Sequence, residues 1–235
     1  MEAWVQSLIA LLQSWGGGIA TTVGPGVQQV AGKLDMPTLL ALAAALGWAS
    51  GLRLYAVVFM VGLSGLAGWI VLPDGLKLLQ HPMMLGASGV MLFVEFFADK
   101  IPGLDSLWDI VHSVIRVPAG AALAAGVFGA DSATMAMAAA LMGGTLAATS
   151  QAAKTTSRAA INTSPEPFSN VLASLVEDGL VVGAVWLASN HPLVFGAVLL
   201  VVVVLMWIMT LLLIKFLRAA IRRVSEFFSG NAKAA

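Results

Sequence analysis

The run Val94–Arg116, VEFFADKIPGLDSLWDIVHSVIR, sets Glu95, Asp99, Lys100, Asp105, Asp109, His112 and Arg116 inside a chain that otherwise reads as lipid-soluble helix. Ionisable groups are costly at membrane depth. They persist where they face a cavity, an ion or one another, so by default they mark a functional site. Asp105, Asp109, His112 and Arg116 fall at i, i+4, i+7 and i+11, one stripe along a helix. Glu95 and Asp99 precede them, also at i, i+4, across Lys100-Ile101-Pro102-Gly103. Carboxylates beside a titratable imidazole could bind a cation or relay protons. A plainer reading makes Asp105 and Asp109 first-turn acids favoured by the helix dipole and paired with Lys100 and Arg116.

Two further groups carry chemistry. Glu177 and Asp178 stand midway along VLASLVEDGLVVGAVW with no basic residue in their own helix. Their compensation must come from bound cations, from protonation, or from Arg53 or Arg116 on other helices. Lys154 and Arg158 share a face at i, i+4 and are followed by Asn162, Ser164, Glu166 and Asn170 around Pro165-Glu166-Pro167. A helix start near two cations suits an anionic group; the alternative is a cytoplasmic loop touching lipid phosphates.

These residues need helices to hold them. Apolar runs predict helices at 37–50, 52–72, 82–99, 104–129, 133–156, 166–189 and 192–217, then a basic amphipathic tail over 218–235 carrying Phe227 and Phe228. Ser50-Gly51 interrupts the first pair, Pro73-Asp74-Gly75 closes a turn, and His81-Pro82 and His191-Pro192 open helices. The first piece would be only about 20 Å long against a hydrocarbon core of about 30 Å, which predicts a half-helix or re-entrant element. Pro118 marks a second expected break, near the short apolar part of the fourth helix. Residues 1–36 read as an interfacial helix anchored by Trp4 and Trp15, followed by a Gly-rich linker.

Lys215, Arg218, Arg222, Arg223 and Lys233 put the C-terminus in the cytoplasm by the positive-inside rule. Counting back places Lys154 and Arg158, Lys100 and Arg116, and Arg53 on that same side. His81-Pro82-x-x-x-Gly86 is echoed by His191-Pro192-x-x-x-Gly196, which suggests an internal parallel repeat, a frequent feature of transporters.

Composition sets the class. The chain is 59% hydrophobic and 10% charged, with a mean hydropathy of +0.93, whereas soluble domains carry about 25% charged residues. An all-α, polytopic transmembrane bundle of six to seven segments follows. Zero net charge gives no signal for nucleic acid, and the absence of cysteine excludes disulfides and thiolate chemistry. There is no phosphate-cradling Gly-rich loop, no HExxH and no GxSxG.

The stretch EFFADKIPGLDSLWDIVHSVIR followed by Pro-Ala-Gly, with NTSPEPFSN and the later Glu-Asp pair, resembles an uncharacterised bacterial integral-membrane family, a domain of unknown function, over roughly Gly51 to Ala188. The resemblance implies a polytopic inner-membrane protein with signature positions at Glu95, Asp99, Lys100, Asp105, Asp109, Glu166, Asn170, Glu177 and Asp178. It supplies no activity.

The preferred reading is a small secondary transporter or channel linked to protons or a cation. Glu95, Asp99, His112, Glu177 and Asp178 would bind or relay the ion. Arg53, Asp105, Asp109, Arg116, Lys154, Arg158, Glu166 and Asn170 would line the polar pocket or hold an anionic substrate. No organic cofactor is indicated; the expected ligand is a bound cation. Expected partners are the bilayer, an anionic lipid or small molecule, and a second copy of the chain. The alternative is a membrane enzyme acting on a lipid phosphate or diphosphate, with Glu95, Asp99, Asp105 and Asp109 as Mg²⁺ ligands. A non-catalytic scaffold is the third reading.

Overall fold

The computed structural model describes residue 7 and residues 34–101, 103–129, 132–163 and 168–232, with side chains to residue 223. Expectations for the N-terminal interfacial helix, Glu166, Ser164 and the aromatic tail lie outside that set. The described residues form six helices: α1 (Met36–Leu66), α2 (Pro82–Ala98), α3 (Leu104–Phe128), α4 (Ala133–Ile161), α5 (Phe168–Asn190) and α6 (Pro192–Ala232), with a 3₁₀ helix, Asp74–Gln80, between α1 and α2. Five, counting α1 at its full length across its kink, are long and apolar enough to cross a bilayer. A sixth span results if the 3₁₀ helix and α2, bent by 67°, are taken together. The protein is a multi-pass helical membrane bundle.

Local chemistry sets the helix starts. Asp35 accepts the Thr38 N–H at 3.1 Å as N-cap of α1, and its hydrogen bonds with Thr38 hold the carboxyl below its ordinary range. His81 caps α2 by accepting the Met83 N–H at 3.3 Å, with Pro82 at the first helical position. The second His-Pro step likewise precedes α6. The echo between the two steps is local: a seven-residue 3₁₀ helix leads into the first and the 23-residue α5 into the second.

The element that matters most is α1. It packs against all the others and is broken at Arg53 (φ −147°, ψ 75°). The two halves run about 25 Å (36–52) and about 20 Å (54–66), each short of a hydrocarbon core of about 30 Å. Both head for the same end of the bundle. Leu40, Ala41 and Ala44 line a groove with Pro192, Leu193 and Phe195 at the start of α6. Gly62 lies against the Leu79 carbonyl and the Leu85 side chain, at the start of α2. The apex at Arg53 reaches the other end, where α2 finishes and α3 begins. So α1 is a re-entrant V, as its short first segment predicts, but the break falls three positions later than expected. Ser50 and Gly51 are helical: the Ser50 hydroxyl donates to the Leu46 carbonyl at 2.5 Å, and a Cβ on Gly51 would overlap the Ala147 carbonyl and the Ser150 hydroxyl of α4. Glycine there is required by close helix approach.

Other boundaries move as well. The second half of α1 ends at Leu66 rather than at 72, because the chain turns through Gly68 at φ 74° into the 3₁₀ helix. α3 continues through Pro118, which is exposed on its outer face, so no break occurs there.

Candidate functional site

α3, α4 and α5 each present one stripe inward that is polar at one end. On α3 the buried face runs Asp105, Asp109, His112, Arg116, then Gly120, Leu123, Ala124 and Val127. On α4 it runs Ala139, Gly143, Ala147, Ser150, Gln151, Lys154 and Arg158, and on α5 Asn170, Ser174, Glu177, Val181, Ala184 and Ala188. The helical period thus puts small or apolar residues at one end of each stripe and charge at the other. The charged ends meet around Arg53.

What they form is one continuous ion-pair network drawn from five helices. Arg116 pairs with Glu95 at 2.5 Å and Asp109 at 2.7 Å. Lys154 reaches Asp99 at 2.9 Å, Glu177 at 3.2 Å and Asp109 at 3.3 Å. Arg53 pairs with Asp99 and Asp178, both at 3.1 Å, and more loosely with Glu177 at 3.7 Å. Arg158 closes the set on Glu177 at 3.0 Å. Arg53, Glu95, Asp99, Asp109, Arg116 and Arg158 are fully buried and Lys154 nearly so. Asp178 alone keeps a substantial exposed fraction, 32% of its side chain.

Neutral groups complete the geometry. Gln151 accepts from Arg116 at 2.9 Å and donates to the Asp109 carbonyl at 3.1 Å. Ser174 accepts from Arg53 at 2.5 Å and from Lys100 at 3.3 Å. Neither was singled out in the sequence, although Gln151 lies one turn before Lys154 and Ser174 one turn before Glu177. Lys154 also donates to the Leu52 carbonyl at 3.0 Å, just before the break in α1, and Ser150 donates to the Trp48 carbonyl at 2.6 Å.

Three expected members stand apart from the ion pairs. Asp105 accepts both bonds it needs from Asn162 (2.8 and 3.0 Å) and one from the Gly103 N–H at 2.8 Å. Asn170 donates to Asn162 at 2.8 Å and accepts from Arg158 through its carbonyl at 2.9 Å. This chain of amides ties the α3 start to the α4–α5 connection. His112 stacks on Trp108 at 3.9 Å, meets Tyr55 edge-on at 5.8 Å, and donates from Nδ1 to the Trp108 carbonyl at 2.9 Å.

Lys154 and Arg158, expected either to hold an anionic group or to touch lipid phosphates from a cytoplasmic loop, are buried on α4 and paired with carboxylates. Glu95, Asp99, Asp105 and Asp109 do not gather as metal ligands. Among the described residues no three acidic or imidazole groups lie close enough to hold a metal, because cations and amides already occupy these carboxylates. For the same reason Arg53, Arg116, Lys154 and Arg158 carry no loop-charge signal of orientation. That signal rests on Lys100 and the end of α6.

What the arrangement can do follows from its charge. The network joins five carboxylates (Glu95, Asp99, Asp109, Glu177, Asp178) to four cations (Arg53, Arg116, Lys154, Arg158). Lys100 adds a cation only at the rim, giving its ammonium to the Phe96 carbonyl at 3.1 Å, to Ser174, and to the face of the Phe96 ring. Buried charges require compensation; Lys100, whose charge interacts with Asp178 and Asp99, brings the cations to five beside the five carboxylates.

No curated protein and no solved structure matches the chain. The family model described as Domain of unknown function (DUF4126) matches residues 40–211, a span that holds every member of the network. On that match the chain belongs to the DUF4126 family of unknown function.

Proposed function

We propose that the protein is a small secondary transporter linked to a proton or monovalent cation, in which the buried network is the coupling site. The observation that carries this reading is the buried network itself: five carboxylates and four directly paired cations from five helices, closed over the broken apex of a re-entrant helix. A buried carboxylate released from its paired cation is stabilised by taking up a proton or cation, and a helix break is where a transporter backbone can rearrange about its ion. Glu177 and Asp178 are the exchanging groups in this account, with Arg53 as the cation they share. The metal-enzyme reading finds no ligand set among the described residues.

The setting proposed is a bacterial inner membrane with the network end and the C-terminus towards the cytoplasm. Support comes from Lys215, Arg218, Arg222 and Arg223, which cluster at the end of α6.

Purified protein in sealed liposomes loaded with a pH-sensitive dye, given a pH gradient in sodium or potassium salt, tests the function. Dissipation several-fold faster than in protein-free vesicles, lost in Glu177→Gln, supports it. Equal rates for wild type, Glu177→Gln and empty vesicles overturn it.

A further inference from the structure

The network reaches the outside at one place. Asp178, its one substantially exposed carboxylate, ends a cleft of about 440 Å³ walled by Ala56 and Met60 of α1, Gly89, Leu92, Phe93 and Phe96 of α2, and Val182 of α5. The size suits a small organic ligand. Apart from Asp178 the walls are apolar, and two of them are aromatic. Phe93 (65%) and Val182 (53%) are exposed on the apolar outer surface, so the cleft is open sideways, towards lipid.

We propose that this cleft binds a lipophilic monovalent cation, entering laterally from the bilayer and pairing with Asp178. Three observations point the same way. Asp178, a carboxylate, is the one polar side chain lining the cleft, so an incoming monovalent cation finds its partner there. Releasing Asp178 to a ligand costs Arg53 little, because Arg53 keeps Asp99 at 3.1 Å, Glu177 at 3.7 Å and the Ser174 hydroxyl at 2.5 Å. The aromatic wall already holds a cation: the Lys100 ammonium lies 3.1 Å from the Phe96 ring centroid. A zwitterionic or anionic phospholipid is disfavoured, since the one polar side chain its phosphate would meet in the cleft is a carboxylate. The occupant is therefore a cation with an apolar body and no phosphate.

The proposal deepens the transporter reading, on which the ligand's role as substrate rests, while binding is measured without flux. Equilibrium binding of radiolabelled tetraphenylphosphonium to the full chain in nanodiscs is the test. One saturable site per chain is expected, with tetraphenylborate unable to compete. Asp178→Asn should weaken binding at least tenfold, and Val182→Trp, which fills the cleft from its exposed rim, should do the same without touching the ion pairs. Lys100→Gln should tighten binding, because it removes a competing cation. Absence of saturable binding, equal competition by tetraphenylborate, or unchanged affinity in folded Asp178→Asn or Val182→Trp overturns the proposal. Retained binding without vesicle transport would leave the site standing and remove the transporter reading alone.

Discussion

The ammonium of Lys154 donates to the Leu52 carbonyl at 3.0 Å, so a cation on α4 holds the backbone of α1 at the residue before its break. The same ammonium reaches Asp99, Asp109 and Glu177, on or next to three other helices. Lys154 is the hub through which the backbone break and the ion pairs support each other.

Removing that hub should be severe. Lys154→Met leaves Asp99, Asp109 and Glu177 each short of a buried partner, and breaking a buried pair from one side costs about 3–5 kcal/mol. The expected result is loss of the monodisperse peak in size-exclusion chromatography, or a large drop in melting temperature for whatever remains folded. A melting temperature within a degree or two of wild type would count against the hub.

Asp178 and Arg53 should behave unequally. Asp178→Asn removes the one carboxylate at the network's exposed edge and leaves Arg53 with Asp99, so the fold should survive with little change in melting temperature. Arg53→Gln strips a cation from Asp99, Asp178 and Glu177 together and should destabilise by about 3 kcal/mol or more. Parallel thermal melts of the two variants decide the point.

Close packing behind the apex is tested by glycines in pairs. Gly51→Ala forces a methyl into the Ala147 carbonyl and the Ser150 hydroxyl, and overpacking of this kind costs about 1–3 kcal/mol. Gly86→Ala, with nothing within 4 Å of the added carbon, should change stability by no more than about 0.5 kcal/mol. Equal melts for the two would show that the approach of α1 to α4 is looser than described.

The amide chain at the network end predicts a local effect. Asp105→Ala frees Asn162 and the Gly103 N–H at once. Hydrogen exchange should rise in the α2–α3 and α4–α5 connections while the far ends of α3 and α5 keep their protection. Unchanged exchange in those connections would mean that Asp105 does not latch them.

Much of this was legible in the chain. The i, i+4, i+7, i+11 spacing from Asp105 to Arg116 gave the buried face of α3, and the short apolar run after 37 gave the re-entrant helix. The break was misplaced because Ser50-Gly51 looks like an interruption, whereas the glycine serves helix approach and Arg53 adopts the non-helical backbone. The pairing of Arg53 with Glu177 and Asp178 is among the readings the sequence allows, whereas the carboxylate partners of Lys154 and Arg158 are not, because loop charges and buried partners look alike until a second helix is placed beside them. Gln151 and Ser174 were missed for a related reason: a neutral polar residue one turn from a charged one acquires a role only through a partner far away in sequence.

The account turns on a buried carboxylate network that answers to an added cation, and infrared difference spectroscopy reads that directly. Adding sodium or potassium to wild-type protein in a buffer free of both should shift the carboxylate stretching bands, and the shift should be missing in Glu177→Gln or Asp178→Asn. A wild-type spectrum that does not respond to cation addition would contradict it.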